Sequence, residues 1–93
     1  MNSENVRKLL AELEAELKRQ GESNWIRGVA EVRQLLDEED GARRARTAYA
    51  AMNQGANSFN DYNIWLADFE KRRQANAALD RIRDLLWQEF DLS

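Results

Sequence analysis

The sequence contains no histidine and no cysteine, and its four glycines are scattered at positions 21, 28, 41 and 55. Without histidine or cysteine, the chain cannot form the Ser-His and Cys-His nucleophile pairs, thiolates, disulfides or the nitrogen and sulfur ligands of zinc. The scattered glycines form no phosphate-binding loop. These absences favour a non-enzymatic protein that uses no cofactor.

Long apolar runs are also missing. No stretch approaches the roughly 20 apolar residues that cross a bilayer, and MNSENVRKLL lacks the apolar centre of a secretory signal. We therefore expect a cytoplasmic protein that does not contact membranes. A content of 43% hydrophobic and 33% charged residues is typical of a folded domain. Residues 1–93 have the length of a single domain with one core.

The charge distribution bears on the kind of partner. The net charge is −3, which argues against nucleic acid, because affinity for phosphates needs concentrated positive charge. Residues 1–40 contain ten acidic and six basic side chains, whereas residues 41–93 contain seven and eight. The acidic part is the one expected to meet a basic partner, and its most acidic stretch is Asp37-Glu38-Glu39-Asp40.

Apolar residues recur every three or four positions in the N-terminal part, as in amphipathic helices that face a core. This spacing predicts a first helix between a cap at Ser3 and a terminator at Gly21. A second helix is predicted to start after a cap at Ser23 and to carry Trp25 as a core anchor.

The same periodicity predicts a third helix over residues 41–54, capped by Asp37 or Asp40 and terminated by Gly55. Its predicted core face is small and comprises Ala42, Ala45, Tyr49 and Met52. A last apolar stripe from residue 75 to residue 90 predicts a final helix.

The segment from residue 59 to residue 70 is the ambiguous one. At 100° per residue its apolar side chains fall within an arc of about 120°, which favours a helix, with an extended conformation as the alternative. This stripe is out of phase with the last one, so we expect a kink or loop within residues 71–76, although no proline or glycine marks it. The predicted fold is an all-α bundle of four helices, with a fifth over residues 59–70 if that segment is helical.

The stretch GANSFNDY stands out between these helices. Gly55 and Asn57 are the residue types that best tolerate positive φ, which a tight corner needs. Ser58 and Asp61 match a capping box, so Ser58→Ala is expected to cost about 1 kcal/mol. We interpret this stretch as a structural corner formed by Gly55, Asn57, Ser58, Asn60 and Asp61.

Three motifs follow one another along the chain: Glu22-x-x-Trp25, Tyr49-x-x-Met52-x-x-Gly55-x-x-Ser58-Phe59-Asn60-Asp61, and Asn76-x-x-Leu79-Asp80-x-Ile82-Arg83. Together they resemble a family of small bacterial proteins whose middle carries a Gly-rich corner followed by Ser-hydrophobic-Asn-Asp. That family has a second glycine at the position of Asn57 and an extended stretch after the Asn-Asp pair. The resemblance implies a small cytosolic bacterial protein, a class in which neighbours of secreted toxins are common.

The aromatic residues suggest where a partner binds. Four of the eight aromatics lie between residues 59 and 69, and protein interfaces favour Trp, Tyr and Arg. We predict a protein-binding module, and within that class an immunity-type protein that neutralises a bacterial toxin. The predicted partner-binding residues are Asp37, Glu38, Glu39, Asp40, Tyr62 and Trp65. The alternative is a homo-oligomeric helical protein, such as a homodimer.

A carboxylate-only metal site was the remaining candidate for residues 37–40. The calcium-loop register fails there, because taking Gly41 as the sixth position puts Leu36 at the first, where a ligand is required. We therefore predict no metal site.

Overall fold

Four α-helices make up the fold of the computed structural model, which describes residues 1–92. α1 spans Ser3–Arg19, α2 spans Trp25–Leu35, α3 spans Gly41–Met52 and α4 spans Phe69–Glu89. A single 3₁₀ turn lies at Phe59–Asp61, and the described range contains no strand. α1 packs against both α2 and α4, and α3 packs against α2. The predicted all-α class is confirmed.

The first two helices begin with caps other than the predicted ones. Asn2 caps α1 one residue before the predicted Ser3, and its side-chain oxygen accepts a first-turn N–H at 3.1 Å. At α2 the predicted Ser23 is replaced by Glu22, whose carboxylate accepts two backbone N–H groups at 3.0 and 2.9 Å. A carboxylate is favourable there because a helix N-terminus carries partial positive charge.

Gly21 ends α1 as predicted. Its φ is +70°, and the N–H of Glu22 reaches back to the carbonyl of Leu17 at 3.0 Å. This six-residue closure is a Schellman motif, and the left-handed residue in it is usually glycine. The chain therefore turns sharply between α1 and α2.

One core collects apolar side chains from all four helices. The stripe of α1 predicted to face inward is buried, and the rings of Tyr49 and Phe90 stack with centroids 5.3 Å apart. Trp25 is half-buried, packs against the core, and lies 5.4 Å from the ring of Phe59. Its predicted role as a core anchor agrees with this position.

α3 is shorter than predicted and ends at Met52 instead of residue 54. Of its predicted core residues, Ala45 and Tyr49 are buried and Met52 is half-buried, but Ala42 is exposed. Asp40 occupies the N-cap position, yet its carboxylate binds Arg43 and accepts no N–H from α3. The predicted cap position is correct, whereas its hydrogen bond is absent.

Gly41 allows a close approach between the start of α3 and the end of α2. A Cβ added there would overlap the carbonyl oxygen of Leu35 and lie 2.9 Å from that of Leu36. Both obstacles are backbone atoms, so no side chain can move away to make room. At Gly28, by contrast, an added Cβ would meet only the flexible end of Met52, at 3.2 Å.

We predict that Gly41→Ala lowers the free energy of unfolding by about 2 kcal/mol or more, because a steric overlap with backbone forces the two helices apart. Gly28→Ala is the matched control. Its gain in helix propensity, up to about 1 kcal/mol, offsets the small shift of Met52. Urea unfolding of both variants measures the difference, and equal stability of the two would contradict the close approach.

Residues 59–70 do not form the helix favoured by the sequence pattern. After the single 3₁₀ turn the chain continues through residues 62–66 without regular hydrogen bonding, as in the extended alternative. α4 then begins at Phe69, with the Asp68 carboxylate accepting the N–H of Lys71 at 2.9 Å, and runs unbroken to Glu89. The break predicted within residues 71–76 is therefore wrong, because no second helix precedes α4 and there is no phase difference to reconcile.

The corner between α3 and α4 has the predicted backbone but different hydrogen bonds. Gly55 and Asn57 both have positive φ, at +79° and +59°. The hydroxyl of Ser58 caps nothing and makes no hydrogen bond within residues 1–92, although the residue is buried. The Asp61 carboxylate instead accepts the N–H of Asn57 at 2.9 Å, so the capping-box prediction is wrong.

We predict that Ser58→Ala leaves stability unchanged or raises it slightly, because it removes a buried hydroxyl that has no partner. This reverses the expectation from sequence. Asp61→Ala removes the bond that holds Asn57 in its left-handed conformation and should cost about 1 kcal/mol. Thermal unfolding distinguishes the two, and a cost of 1 kcal/mol for Ser58→Ala would restore the capping box.

Candidate protein-binding surface

Asn76 on α4 holds the extended segment, defined as residues 62–66, at its central residue. Its carboxamide accepts the N–H of Ile64 at 2.8 Å and donates to the carbonyl of the same residue at 2.9 Å. A third bond joins the amide to the carbonyl of Arg72 at 3.0 Å. Because buried backbone groups need partners, Asn76 here replaces the neighbouring strand that an extended chain would otherwise require.

Arg83 fixes the start of the segment. Its guanidinium donates to the carbonyls of Phe59 and Tyr62 at 2.7 and 2.9 Å, and to the carboxylate of Asp80 at 2.6 Å. Arg83 is only 9% exposed, and these bonds compensate for burying its charge. The extended segment is thus attached to α4 at both Asn76 and Arg83.

Alternation along the segment decides which side chains face outward. Ile64 is 3% exposed and Trp65 is 77% exposed, while Tyr62 and Leu66 are half-buried and Asn63 is exposed. In an extended chain, successive side chains point to opposite sides. Fixing Ile64 in the core therefore directs Trp65 into solvent.

Trp65, Phe69 and Arg72 form what we call the aromatic-arginine cluster. The Arg72 guanidinium carbon lies 4.1 Å from the ring centroid of Trp65 and 5.3 Å from that of Phe69. Phe69 is 66% exposed, so both rings remain available to solvent. A cation at these distances is attracted by the electron-rich face of a ring, which gives the exposed group a defined geometry.

Tyr62, a predicted partner-binding residue, does not join this cluster. Its ring stacks on Phe59 with centroids 6.3 Å apart, and the residue is half-buried. Burial raises the pKa of its hydroxyl above the ordinary value. Tyr62 therefore supports the extended segment from within and presents little contact area.

The acidic turn, residues 37–40, is engaged within the chain. Asp37 pairs with Arg7 at 2.6 Å, Asp40 pairs with Arg43 at 2.6 Å, and Glu38 pairs with Arg44. Within residues 1–92 only Glu39 of this turn has no ion pair. The four carboxylates thus present much less free negative charge than the sequence indicates.

The acidic turn and the aromatic-arginine cluster lie near opposite ends of the bundle. Asp37 binds Arg7 near the start of α1, whereas Leu66 and Lys71 share a surface depression with Arg19 at its end. Twelve residues of helix at 1.5 Å per residue separate those two positions by about 18 Å. The structure therefore does not bring the predicted partner-binding residues into one patch.

Sequence reasoning missed Phe69 and Arg72 as members of the exposed surface. Phe69 was assigned to the apolar stripe of the helix favoured for residues 59–70, and Arg72 to the kink or loop expected within residues 71–76. The available signal was their spacing, since residues three apart at the start of a helix lie on the same face. Asp68 before them is also a typical N-cap residue.

A polar depression of about 240 Å³ lies between α3 and α4 and is lined by Tyr49, Asn53, Asn60, Arg83, Asp84 and Trp87. Burial raises the pKa of the Tyr49 hydroxyl above its ordinary value. Within residues 1–92 no three acidic side chains are arranged to hold a metal ion. None of the described helices combines the length and apolar character needed to cross a bilayer.

Comparison with known proteins gives no significant match to a protein-family model, a curated protein or a solved structure. The family resemblance drawn from the sequence motifs stays a prediction.

We predict that Asn76→Ala lowers the free energy of unfolding by about 1–3 kcal/mol, because it leaves the N–H and carbonyl of Ile64 without partners. Hydrogen exchange of the Ile64 amide should accelerate in the same variant. Asn63→Ala is the matched control, since this exposed asparagine belongs to the same segment and its loss should change stability by less than about 0.5 kcal/mol. Unchanged exchange at Ile64 would exclude the attachment.

Proposed function

We propose that the chain is a non-enzymatic protein-binding module, and specifically an immunity-type protein that binds and neutralises a bacterial toxin. The observation that carries the proposal is the aromatic-arginine cluster, in which Trp65 and Phe69 are 77% and 66% exposed around a stacked arginine. Trp and Arg are enriched among the residues that dominate binding energy at protein interfaces. The exposed apolar surface of the aromatic-arginine cluster is an area that a partner can bury.

Rigidity supports this role. Binding costs free energy for every flexible side chain that it immobilises, roughly 0.5–1.5 kcal/mol each. Trp65 follows a residue fixed by Asn76, and the Arg72 guanidinium already contacts both rings. The cluster is therefore ordered before a partner arrives.

The placement of the cluster fits a module that blocks a site. Trp65 projects from the extended segment, beside the N-terminal end of α4, at one end of an elongated molecule of 44 × 25 × 22 Å. Active sites are concave and lined largely by apolar and aromatic groups. A fixed, projecting indole beside a cation is suited to filling such a cleft, which is the step from protein binding to toxin inhibition.

The acidic turn is a second and weaker candidate for contact with the partner. Three of its carboxylates are paired within the chain, and surface ion pairs of this kind exchange partners at a cost of about 1 kcal/mol or less. Glu39 is its free carboxylate. A basic partner surface would contact Glu39 first, so Glu39→Ala tests this end of the molecule.

Self-association through the same cluster is less favourable on electrostatic grounds. A two-fold dimer places each surface patch against its own copy. Lys71 and Arg72 would then face the same two cations of the second chain. A different partner protein avoids this repulsion.

Co-purification tests the proposal. We expect a tagged wild-type chain to retain a partner from its native host, and Trp65→Ala and Phe69→Ala to weaken that complex about 30-fold each, as for loss of a hot-spot side chain worth roughly 2 kcal/mol. Arg27→Ala, an exposed residue of α2 that belongs to neither surface, is the control and should retain the partner. Because Trp65 is 77% exposed, its removal should leave thermal unfolding nearly unchanged.

The toxin assignment has its own readout. The partner expressed alone should arrest bacterial growth, co-expression of the wild-type chain should restore growth, and the Trp65→Ala variant should fail to do so. A harmless partner would reject the immunity role while leaving protein binding in place. Equal retention of the partner by Trp65→Ala, Phe69→Ala and wild type would reject the cluster as the contact surface.

A further inference from the structure

We propose that Arg72 is a receptor for a carboxylate, so that the partner of the aromatic-arginine cluster is an acidic protein surface in which an Asp or Glu lies beside an apolar side chain. The inference rests on the proposed function, because it assigns the chemistry of the partner that the cluster contacts. It departs from the sequence-based expectation of a basic partner at the acidic turn.

The first observation is that the Arg72 guanidinium makes no ion pair or hydrogen bond with residues 1–92. Arg27 is the other arginine in that state, and it is exposed and unstacked. The remaining arginines bind carboxylates or backbone carbonyls, such as Arg46 with the carbonyl of Phe90 at 2.7 Å. Arg72 thus combines a fixed position with unused donors.

Stacking leaves those donors accessible. The faces of a planar guanidinium interact with aromatic rings, while its N–H groups point outward in the plane as a fork that matches a carboxylate. The Arg72 guanidinium carbon lies over the rings of Trp65 and Phe69, at 4.1 and 5.3 Å from their centroids. A carboxylate approaching the edge of the guanidinium can therefore form two parallel hydrogen bonds without disturbing the stack.

The charges around Arg72 favour an anion. Residues 65–73 contain three basic and two acidic side chains, although the whole chain has a net charge of −3. Both acidic groups are already engaged, since Asp68 caps α4 and Glu70 pairs with Arg73 at 2.5 Å. Lys71 has no ion pair within residues 1–92, and the nearby N-terminus of α4 adds partial positive charge.

The flanking rings determine what accompanies the carboxylate. Trp65 and Phe69 both lie next to the guanidinium and are mostly exposed. Burying them requires apolar contact, and excluding water around the guanidinium strengthens its interaction with an anion. The matching partner surface therefore has an acidic residue next to aromatic or aliphatic ones. A purely acidic surface would leave the two rings in contact with water.

The same charges disfavour a second copy of the chain as the occupant. An isologous contact would bring Arg72 and Lys71 against their own equivalents, and the two carboxylates within residues 65–73 already bind other groups, Glu70 the guanidinium of Arg73 and Asp68 the N–H of Lys71. An acidic partner gains attraction from both cations.

A display library of random dodecapeptides, selected on the immobilised full chain, tests the inference. We expect enriched peptides to carry Asp or Glu within two positions of an aromatic or aliphatic residue. For a synthetic peptide of this kind, Arg72→Gln should raise Kd at least tenfold. Arg72→Lys should raise it nearly as much, because the ammonium cannot form the paired bonds. Arg27→Gln, the matched control for loss of an unpaired arginine, should bind as wild type.

A double-mutant cycle isolates the contact. Replacing the acidic residue of the peptide by its amide should weaken binding to the wild-type chain about tenfold but leave binding to Arg72→Gln unchanged. Enriched peptides without an acidic residue, or additive effects in the cycle, overturn the inference.

The same peptides separate this inference from the proposed function. If binding of the selected peptides still depends on Trp65, the proposed binding function stands. If no selected peptide depends on Trp65 or Arg72, both proposals fail. Concentration-dependent dimerisation that Trp65→Ala abolishes would assign the surface to a second copy and also overturn the inference.

Discussion

The paired hydrogen bonds between the Asn76 carboxamide and the backbone of Ile64 determine how the second half of the chain is arranged. They satisfy both polar groups of a buried extended residue with a single side chain. With Ile64 fixed inward, Trp65 must face outward and α4 can begin at Phe69. The exposure of the aromatic rings therefore depends on the Asn76 carboxamide, together with the hydrogen bonds by which Arg83 holds the corner.

The net charge of −3 does not describe the local charge of the individual surfaces. Most carboxylates of the acidic half pair locally or across helices, as Glu14 does with Arg33 and Glu12 with Arg81. Each exposed pair contributes at most about 1 kcal/mol, but together they neutralise the side that appears most acidic in the sequence. Among the cations that form no ion pair within residues 1–92, Lys71 and Arg72 lie side by side at the start of α4. Net charge therefore gives the wrong sign for the surface that carries the exposed aromatics.

Local periodicity was sufficient for α1, α2, α3 and most of α4, because their apolar residues recur at helical spacing over several turns. The corner conformation at Gly55 and Asn57 was also predictable, since positive φ is an intrinsic preference of those residue types. Its hydrogen bonds were not, because Ser58 and Asp61 are both residue types that accept backbone N–H groups, and only the observed turn shows that Asp61 does so.

Residues 59–70 could not be assigned from local pattern. Their aromatic side chains share a helical arc by coincidence, and the exposed Trp65 hides the alternation that would have indicated an extended chain. The deciding partner, Asn76, lies twelve residues away and looks like an ordinary polar residue of a helix. The candidate surface was therefore only half visible: Trp65 was identified, whereas Phe69 and Arg72 needed the observed start of α4.

The alternation of the extended segment has a consequence for how such a protein diversifies. Positions 63 and 65 carry exposed side chains, whereas Ile64 between them, whose backbone Asn76 binds, points into the core. Under the proposed binding function, exchanges at these outward positions alter the contact surface and, because the side chains are exposed, change the unfolding free energy by less than about 0.5 kcal/mol. Stability and recognition are thus encoded by alternate residues of the same short segment, and selection can act on one without opposing the other.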